Sequence, residues 1–308
     1  MLRLGYACKN LSIPAPVSQT CRIDTVLKNG LSFVVEKARS NLVNTLQCLK
    51  WNERNNIRFY RMSTNLFPHI VNPDPRLSHY TNKDRLYSLF LFLDELTDIS
   101  KFAKTHQHRL TMHASHFCKI GAKDKDVFKK TLDELALYSD MMDLMRLGPD
   151  SIIVVHGGGV YGDIEETKKR WVKQFNLLPE TVQRRLVLEN CEFQYGVQDV
   201  FDICEQIKRP AVIDTHHYHC YTQKGDHGMS LYRSIQKSVE LWQRFGAKPK
   251  FHISQQATGQ RLGAHSNYID EIDNDLLAFV QNTETDIDIM VEAKAKEKAV
   301  LQLVDHSW

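Results

Sequence analysis

One unit recurs from end to end of this chain: a short apolar run, a polar residue able to bind a metal or touch a substrate, a loop, then an amphipathic helical segment. Eight apolar runs can be read, and nearly every one ends in such a residue. The third ends at His113 (RLTMH), the fourth at His156 (SIIVVH) and the fifth at Glu189 (RRLVLEN). The sixth ends at Asp214 (AVIDTHH), the seventh at His252 (KFHIS) and the eighth at Glu292 (DIDIMVE). Short continuous apolar runs mark strands buried on both faces, and their regular alternation with helices argues for βαβ units. A closed parallel barrel places all strand C-termini on one rim, where loops build the active site. The expectation is therefore a single-domain (β/α)8 TIM barrel over residues 1–308, with six ligand-type residues converging at its mouth.

The first strand is expected at about Arg3–Ala7, followed by a proline-containing loop and a helix over about Leu31–Trp51. IRFYRMS is the second strand, and a loop with Pro68, Pro73 and Pro75 leads to a helix over about Arg85–Lys104. Further helices are expected over Asp124–Arg146, Ile164–Phe175, Pro179–Arg185, Val197–Ile207, Leu231–Phe245 and Tyr268–Asn282, and the charged segment EAKAKEKAVLQLV closes the chain. Its 308 residues, 42% hydrophobic, suffice for one large core. The net charge of +3 neither requires nor excludes nucleic acid, because a local groove can be positive on a nearly neutral protein. The seven cysteines (Cys8, Cys21, Cys48, Cys118, Cys191, Cys204, Cys220) are odd in number and lack CxxC spacing, which reads as thiols in a reducing compartment. No apolar run approaches the ~20 residues that span a bilayer, and a strand pattern opens the chain where a signal peptide would stand. A soluble, intracellular protein is expected, in the cytoplasm or a nucleus.

A lone histidine or aspartate at a strand end is more often a cap or a hydrogen-bonded turn residue than a ligand. Six in succession are hard to obtain from packing. Imidazoles and carboxylates suit zinc or manganese, and Glu189 and Glu292 can bridge two ions. Paired ions clamp the attacking and leaving oxygens of a phosphodiester displacement, so this donor set points to phosphoryl chemistry. Asp214 and His217, three apart where the sixth strand breaks into a loop, are placed to face neighbouring ions, and His265 in the loop after strand seven would complete a third site. His216 is read as supporting or structural, and His219 receives no role. Lys250 and His252, two apart on one strand, point the same way into the mouth. A lysine beside several cations is expected to be a neutral ligand or carboxylated on its amine, the plain alternative being an outward, solvated rim lysine.

The motifs LGYACKN, FYRMSTNLFP, LEN, DTHH, KFHIS and DIMVEAKAKEKA, in this order, resemble the UV damage endonuclease family, related in fold to endonuclease IV. The resemblance covers almost the whole chain. It implies a three-metal cluster, usually manganese with zinc or magnesium as alternatives, that nicks damaged double-stranded DNA immediately 5′ to a lesion. It implies His113, His156, Glu189, Asp214, His217, His252, His265 and Glu292 as ligands, and Lys250 as the modified lysine. Glu189, Glu292 and Lys250 are the catalytic candidates. Two departures stand out. Asn72 precedes Pro73 where the family has a histidine, so either His69 substitutes or one metal-adjacent contact is missing. The probing Gly-Gln-Tyr after strand three is replaced by Ser115-His116-Phe117, in which Phe117 can still wedge and His116 can still hydrogen-bond.

Tyr6 and Asn10 match the first-strand motif and are expected to reach extruded nucleotides, against the alternative of a barrel-bottom tyrosine with an asparagine turn. Arg261 is a candidate phosphate contact. Gly157–Gly159 allow close backbone approach or simply a tight turn. The Lys168–Arg170 run and the lysines at 294, 296 and 298 read as solvated helix faces. The leading expectation is a monomeric, metal-dependent endonuclease leaving 3′-hydroxyl and 5′-phosphate ends. A sugar isomerase or epimerase on a related barrel needs fewer ligands, and a damage-binding protein without turnover is suggested only by Asn72 and the altered loop.

Overall fold

In a computed structural model that describes residues 2–81, 86–223, 225 and 228–304, eight parallel strands close a barrel in chain order. They are β1 (Leu2–Ala7), β2 (Phe59–Arg61), β3 (Arg109–His113), β4 (Ile153–His156), β5 (Leu186–Glu189), β6 (Ala211–Asp214), β7 (Lys250–Ile253) and β8 (Ile287–Val291). β8 pairs back onto β1 through Leu2 and Ile287, leaving no sheet edge. Between strands lie α1 (Ile23–Arg54), α2 (Ser78–Thr81), α3 (Leu93–Thr105), α4 (Lys125–Leu144), α5 (Ile164–Phe175) and α6 (Glu180–Gln183). α7 (Val197–Ile207), α8 (Thr215–Thr222), α9 (Leu231–Phe245), α10 (Asn274–Asn282) and α11 (Glu297–Val304) complete the set. Among the described residues no helix is long and apolar enough to cross a membrane.

Alternation along each strand sorts side chains into the barrel interior or under the helices. The inward set forms three levels. At the bottom, the buried Asp288 carboxylate accepts from Arg3 at 2.7 Å and from Arg109 at 2.9 Å, with the Lys248 amine at 3.2 Å. Above it, the Phe59 ring lies 5.6 Å from both the Arg109 guanidinium and the Lys250 amine, beside Met290 and Ala7. The top level holds the ends of the strands, where Arg61, His113, Glu189, His252 and Glu292 meet. Charge thus sits at both ends of the barrel, with an apolar layer between.

Several boundaries differ from the sequence expectation. Helical pattern does restart after Gly30, whose φ of 82° breaks helical geometry, but Ile23 to Asn29 is helical too, making α1 a kinked element. Arg85, at which the sequence pattern opens the next helix, lies outside the described residues, and α3 starts at Leu93 after a 3-10 turn at Leu89–Phe92. DTHHYH is no loop: the Asp214 side chain accepts from the His217 N–H at 2.9 Å and caps α8 directly off the strand. α10 begins only at Asn274, because Asp273 caps it while Asp270 donates back to Gln255. The last helix waits until Glu297, since Lys294 and Ala295 pair with the carbonyls of Ser266 and Asn267 and Lys296 takes a left-handed φ of 55°.

Replacing Asp288 by alanine leaves Arg109, 4% exposed, without its counter-charge at the barrel floor. A stability loss of about 3–5 kcal/mol is expected in urea denaturation. A loss under about 1 kcal/mol would show that the floor does not depend on this carboxylate.

Candidate metal centre

Each strand from β3 to β8 delivers a donor to the mouth. Glu189, fully buried at the end of β5, is the hub: His113 Nε2 lies 2.8 Å from its Oε2, and His252 Nδ1 2.8 Å from its Oε1. His217 Nδ1 approaches Oε1 at 3.5 Å and His156 Nε2 approaches Oε2 at 3.8 Å. His252 also stands 3.2 Å from Glu292, whose second oxygen is 3.9 Å from His265 Nδ1. All eight expected ligands are therefore brought into one cluster. Within it three groups have donor atoms mutually within 4.8 Å: His113–Glu189–His252, Glu189–Asp214–His217 and Asp214–His252–Glu292. Any two of these triads share a residue, so three cations held there would be neighbours.

The electrostatics suit cation binding. Burial pushes His113 and His252 well below the ordinary histidine range, with the Arg61 guanidinium adding to the effect on His113 and Lys250 to that on His252. Burial takes His156 down to about 3. These rings are neutral and present lone pairs. His217 behaves oppositely: burial lowers it, but Asp214, Glu189 and Glu192 outweigh that and hold it at about 9. Burial raises Glu189, and the neighbouring Glu292 and Asp214 add to it. Burial would also raise Glu292, yet Arg61, then His252 and His113, hold it well below the carboxylate range. Asp214 Oδ2, 3.9 Å from His217 Nδ1, and His252 Nε2 are buried without a hydrogen-bond partner among the described residues. A buried carboxylate oxygen in that condition is costly unless something positive meets it. Hard oxygen donors with imidazole nitrogens fit manganese or zinc.

Lys250 faces the same interior. It is fully buried, its amine has no hydrogen-bond partner among the described residues, and burial reinforced by Arg61 and Arg109 holds it well below its ordinary value. The outward, solvated alternative is thereby excluded. Arg61, which carries no assignment in the sequence, is an inward member of the site, ion-paired to Glu292. Glu192 is another, 3.5 Å from His217 Nε2.

Several other expectations are corrected, and the remaining candidates are placed with them. Tyr6 lies on the outer face of β1, edge-on to Tyr60 and fully buried, with its hydroxyl bonded to Asn52 and Cys48 of α1. Asn10 donates to that hydroxyl and caps the turn at Ser12 and Ile13. Both hold the first loop in place: Asn10 makes the turn of the alternative reading, while Tyr6 packs under α1 and not at the barrel bottom. His69 has both ring nitrogens engaged, one by the Cys21 carbonyl of the first loop and one by Asn72 of its own, and it is in none of the donor triads. Lys168 is no solvated lysine but is buried among Glu165, Asp199 and Asp202. Lys296 is half-buried beside Arg61 and Glu292, while Lys294 and Lys298 are exposed. A side chain at Gly157 would strike the Tyr195 ring, 2.4 Å away, so close packing requires that glycine. His116 stacks on the His156 ring at 5.2 Å, and Phe117 is 83% exposed, which rules out its packing into the following helix. Arg261 is exposed in the loop closed by the Gln256–His265 bridge.

A family model described as UV-endonuclease UvdE matches residues 2–307. The chain belongs to this family. Among its relatives, a protein of Acanthamoeba polyphaga mimivirus named for UV-damage endonuclease is 33% identical, over 98% of this chain and 90% of that one. The UV-damage endonuclease of Schizosaccharomyces pombe is 30% identical over 98% of this chain, which spans half of that longer protein. The crystal structure of SacUVDE superposes with a TM-score of 0.84 at 27% identity, covering 99% of this chain and 97% of that one. At the level of fold alone, endonuclease IV of Thermus thermophilus (TM-score 0.55, 13% identity) and a 3-keto-D-glucoside 4-epimerase of E. coli (0.58, 8%) share the barrel. A UvdE barrel and an epimerase barrel are thus alike in architecture, and the donor cluster has to separate them.

His217, held at about 9, bears a proton at neutral pH and burial raises Glu189, so loading a divalent ion should release protons. Manganese affinity should rise as pH goes from 6 to 9. Calorimetry at pH 7 in buffers of different ionisation enthalpy should show net proton release. Affinity flat across that range would contradict the assignment of these two residues.

Proposed function

We propose that this chain is a metal-dependent endonuclease of DNA repair that nicks the backbone of double-stranded DNA immediately 5′ to UV photoproducts or related base lesions. The observation that carries the reading is the set of three donor triads, each pair sharing a residue, at the mouth of the barrel. Membership of the UvdE family supplies the substrate class. Three divalent ions, manganese foremost, would be held by His113, His156, Glu189, Asp214, His217, His252, His265 and Glu292. When bound, such ions supply a deprotonated water as nucleophile at neutral pH and a positive clamp on the attacking and leaving oxygens. Breaking the bond on the 3′-oxygen side leaves 3′-hydroxyl and 5′-phosphate ends. An epimerase needs a site for one or two ions, and eight converging donors exceed that.

The chain's own residues divide the work. Glu189, touched by four imidazoles, is placed to bridge ions and to fix the ring orientations around it. Asp214 has one oxygen committed to capping α8 and the other directed into the cluster, so the helix cap orients the ligand. Burial, reinforced by Arg61 and Arg109, shifts Lys250 toward the neutral amine, the form that adds carbon dioxide to give a carbamate with release of one proton. The carbamate would supply a further bridging anion. Arg61 pairs with Glu292 and keeps it ionised. On the DNA side, Phe117 stands clear of the protein and offers a ring to replace a lost stacking partner, while Arg261 lies on the same rim for a phosphate. Weakened stacking at a lesion lowers the cost of extruding it.

Incubation of the protein with manganese and a duplex holding one defined photoproduct should give a single nick 5′ to it, with Glu189→Gln folded but inactive. A cut elsewhere, or full activity of Glu189→Gln with normal metal content, defeats the proposal. Phe117→Ala should weaken binding to the lesion duplex by roughly ten- to a hundred-fold, with hydrolysis of bound DNA barely altered. An equal loss on undamaged duplex would show that Phe117 does not read the lesion.

A further inference from the structure

The turn that presents Phe117 is fastened at both ends by one face of α4. Thr131, Glu134 and Tyr138 lie three and four residues apart and so share that face. At the start of the turn the Glu134 carboxylate accepts from the Ser115 N–H at 3.0 Å and from the Ser115 hydroxyl at 3.0 Å. At its end the Thr131 hydroxyl accepts from the Lys119 N–H at 2.9 Å. The Cys118 N–H closes the turn onto the Ser115 carbonyl at 2.9 Å. Glu134 is fixed in turn by the buried Tyr138 hydroxyl, which donates to it at 2.8 Å. Between the two clamps only His116 and Phe117 stand exposed, and the His116 ring is steadied on His156.

We propose that Glu134 is a positioning residue for lesion recognition: from α4 it sets the turn Ser115–Lys119 so that Phe117 is already aimed at the duplex before binding. This rests on the reading of Phe117 as the probing side chain. A loop ordered in advance avoids the entropy cost of ordering it at the moment of binding. The Glu134 side chain carries two bonds to the first residue of the turn and touches none of the metal-donor residues named above. Its removal frees Ser115, and through it Phe117, while the donor cluster stays as it is.

The test measures binding of the manganese-loaded protein to two duplexes, one with a cyclobutane pyrimidine dimer and an uncleavable phosphonate at the 5′ linkage, the other matched and undamaged. The ratio of the two affinities is the readout. Glu134→Ala should lower that ratio about tenfold, with unchanged manganese content. Combined with Phe117→Ala, it should cost no more than about threefold beyond Phe117→Ala alone, because the two act on one contact. Glu134→Gln should restore the ratio, since its amide oxygen can accept from Ser115 and Tyr138 while its NH2 donates to the Ser115 hydroxyl. A retained ratio in Glu134→Ala, fully additive losses, or an equal loss on both duplexes would each overturn the proposal. Should Glu134→Ala fail to fold, Ser115→Ala removes one of the two bonds from the loop side. A ratio unchanged by it overturns the proposal equally. If Phe117→Ala itself leaves the ratio intact, the probing role of the loop is what fails, and that result is distinguishable from all the others.

Discussion

The interaction on which the rest depends is the mutual burial of three carboxylates and five imidazoles at one end of a closed barrel. Closure forces it. Once β8 pairs with β1, strand ends far apart in sequence share one small volume, and Glu189 ends up within 4 Å of four histidine rings. Desolvation then works against every charge in that space, which is why most of the rings are neutral and Glu189 is driven upward. Such a cluster is poor material for stabilising a fold, since apolar residues of similar volume would do as well or better. Its natural complement is a set of cations, which satisfies orphaned atoms such as Asp214 Oδ2 and His252 Nε2 together.

The barrel interior is graded to make this tolerable. Positive charge from Arg61 sits against Glu292 at the top, and at the bottom the Asp288 carboxylate is met by Arg3, Arg109 and Lys248. Phe59 and Met290 separate the two levels. Lys250 lies in that apolar middle, where burial holds it well below the ordinary lysine range and so favours the neutral amine. The charge state of the lysine is therefore set by the layering of the whole barrel as much as by its immediate neighbours.

Much of this is legible in the sequence, and the reason is geometric. A parallel barrel converts position at a strand's end into position at the rim, so His113, His156, Glu189, Asp214, His252 and Glu292 can be read off their apolar runs. His265 and Lys250 follow from the loop and the two-residue period. What escapes depends on tertiary pairing. The faces of β1 are ambiguous until Arg3 is seen to meet Asp288 inside, which sends Tyr6 outward beneath α1. Arg61 reads as part of a strand pattern until Glu292 is found across the mouth from it. Lys168 reads as a solvated helix lysine because its partners Asp199 and Asp202 come from another helix. The helix after Asp214 is hidden because three of its first five residues are histidine, a weak helix former, and its cap doubles as a ligand.

The central claim, that one barrel mouth holds a cluster of three divalent ions, is tested most directly by anomalous scattering at the manganese edge from crystals of the manganese-loaded protein. The account predicts three peaks, one in each of the triads His113–Glu189–His252, Glu189–Asp214–His217 and Asp214–His252–Glu292. A single peak, or ions bound away from Glu189 and Asp214, would contradict it.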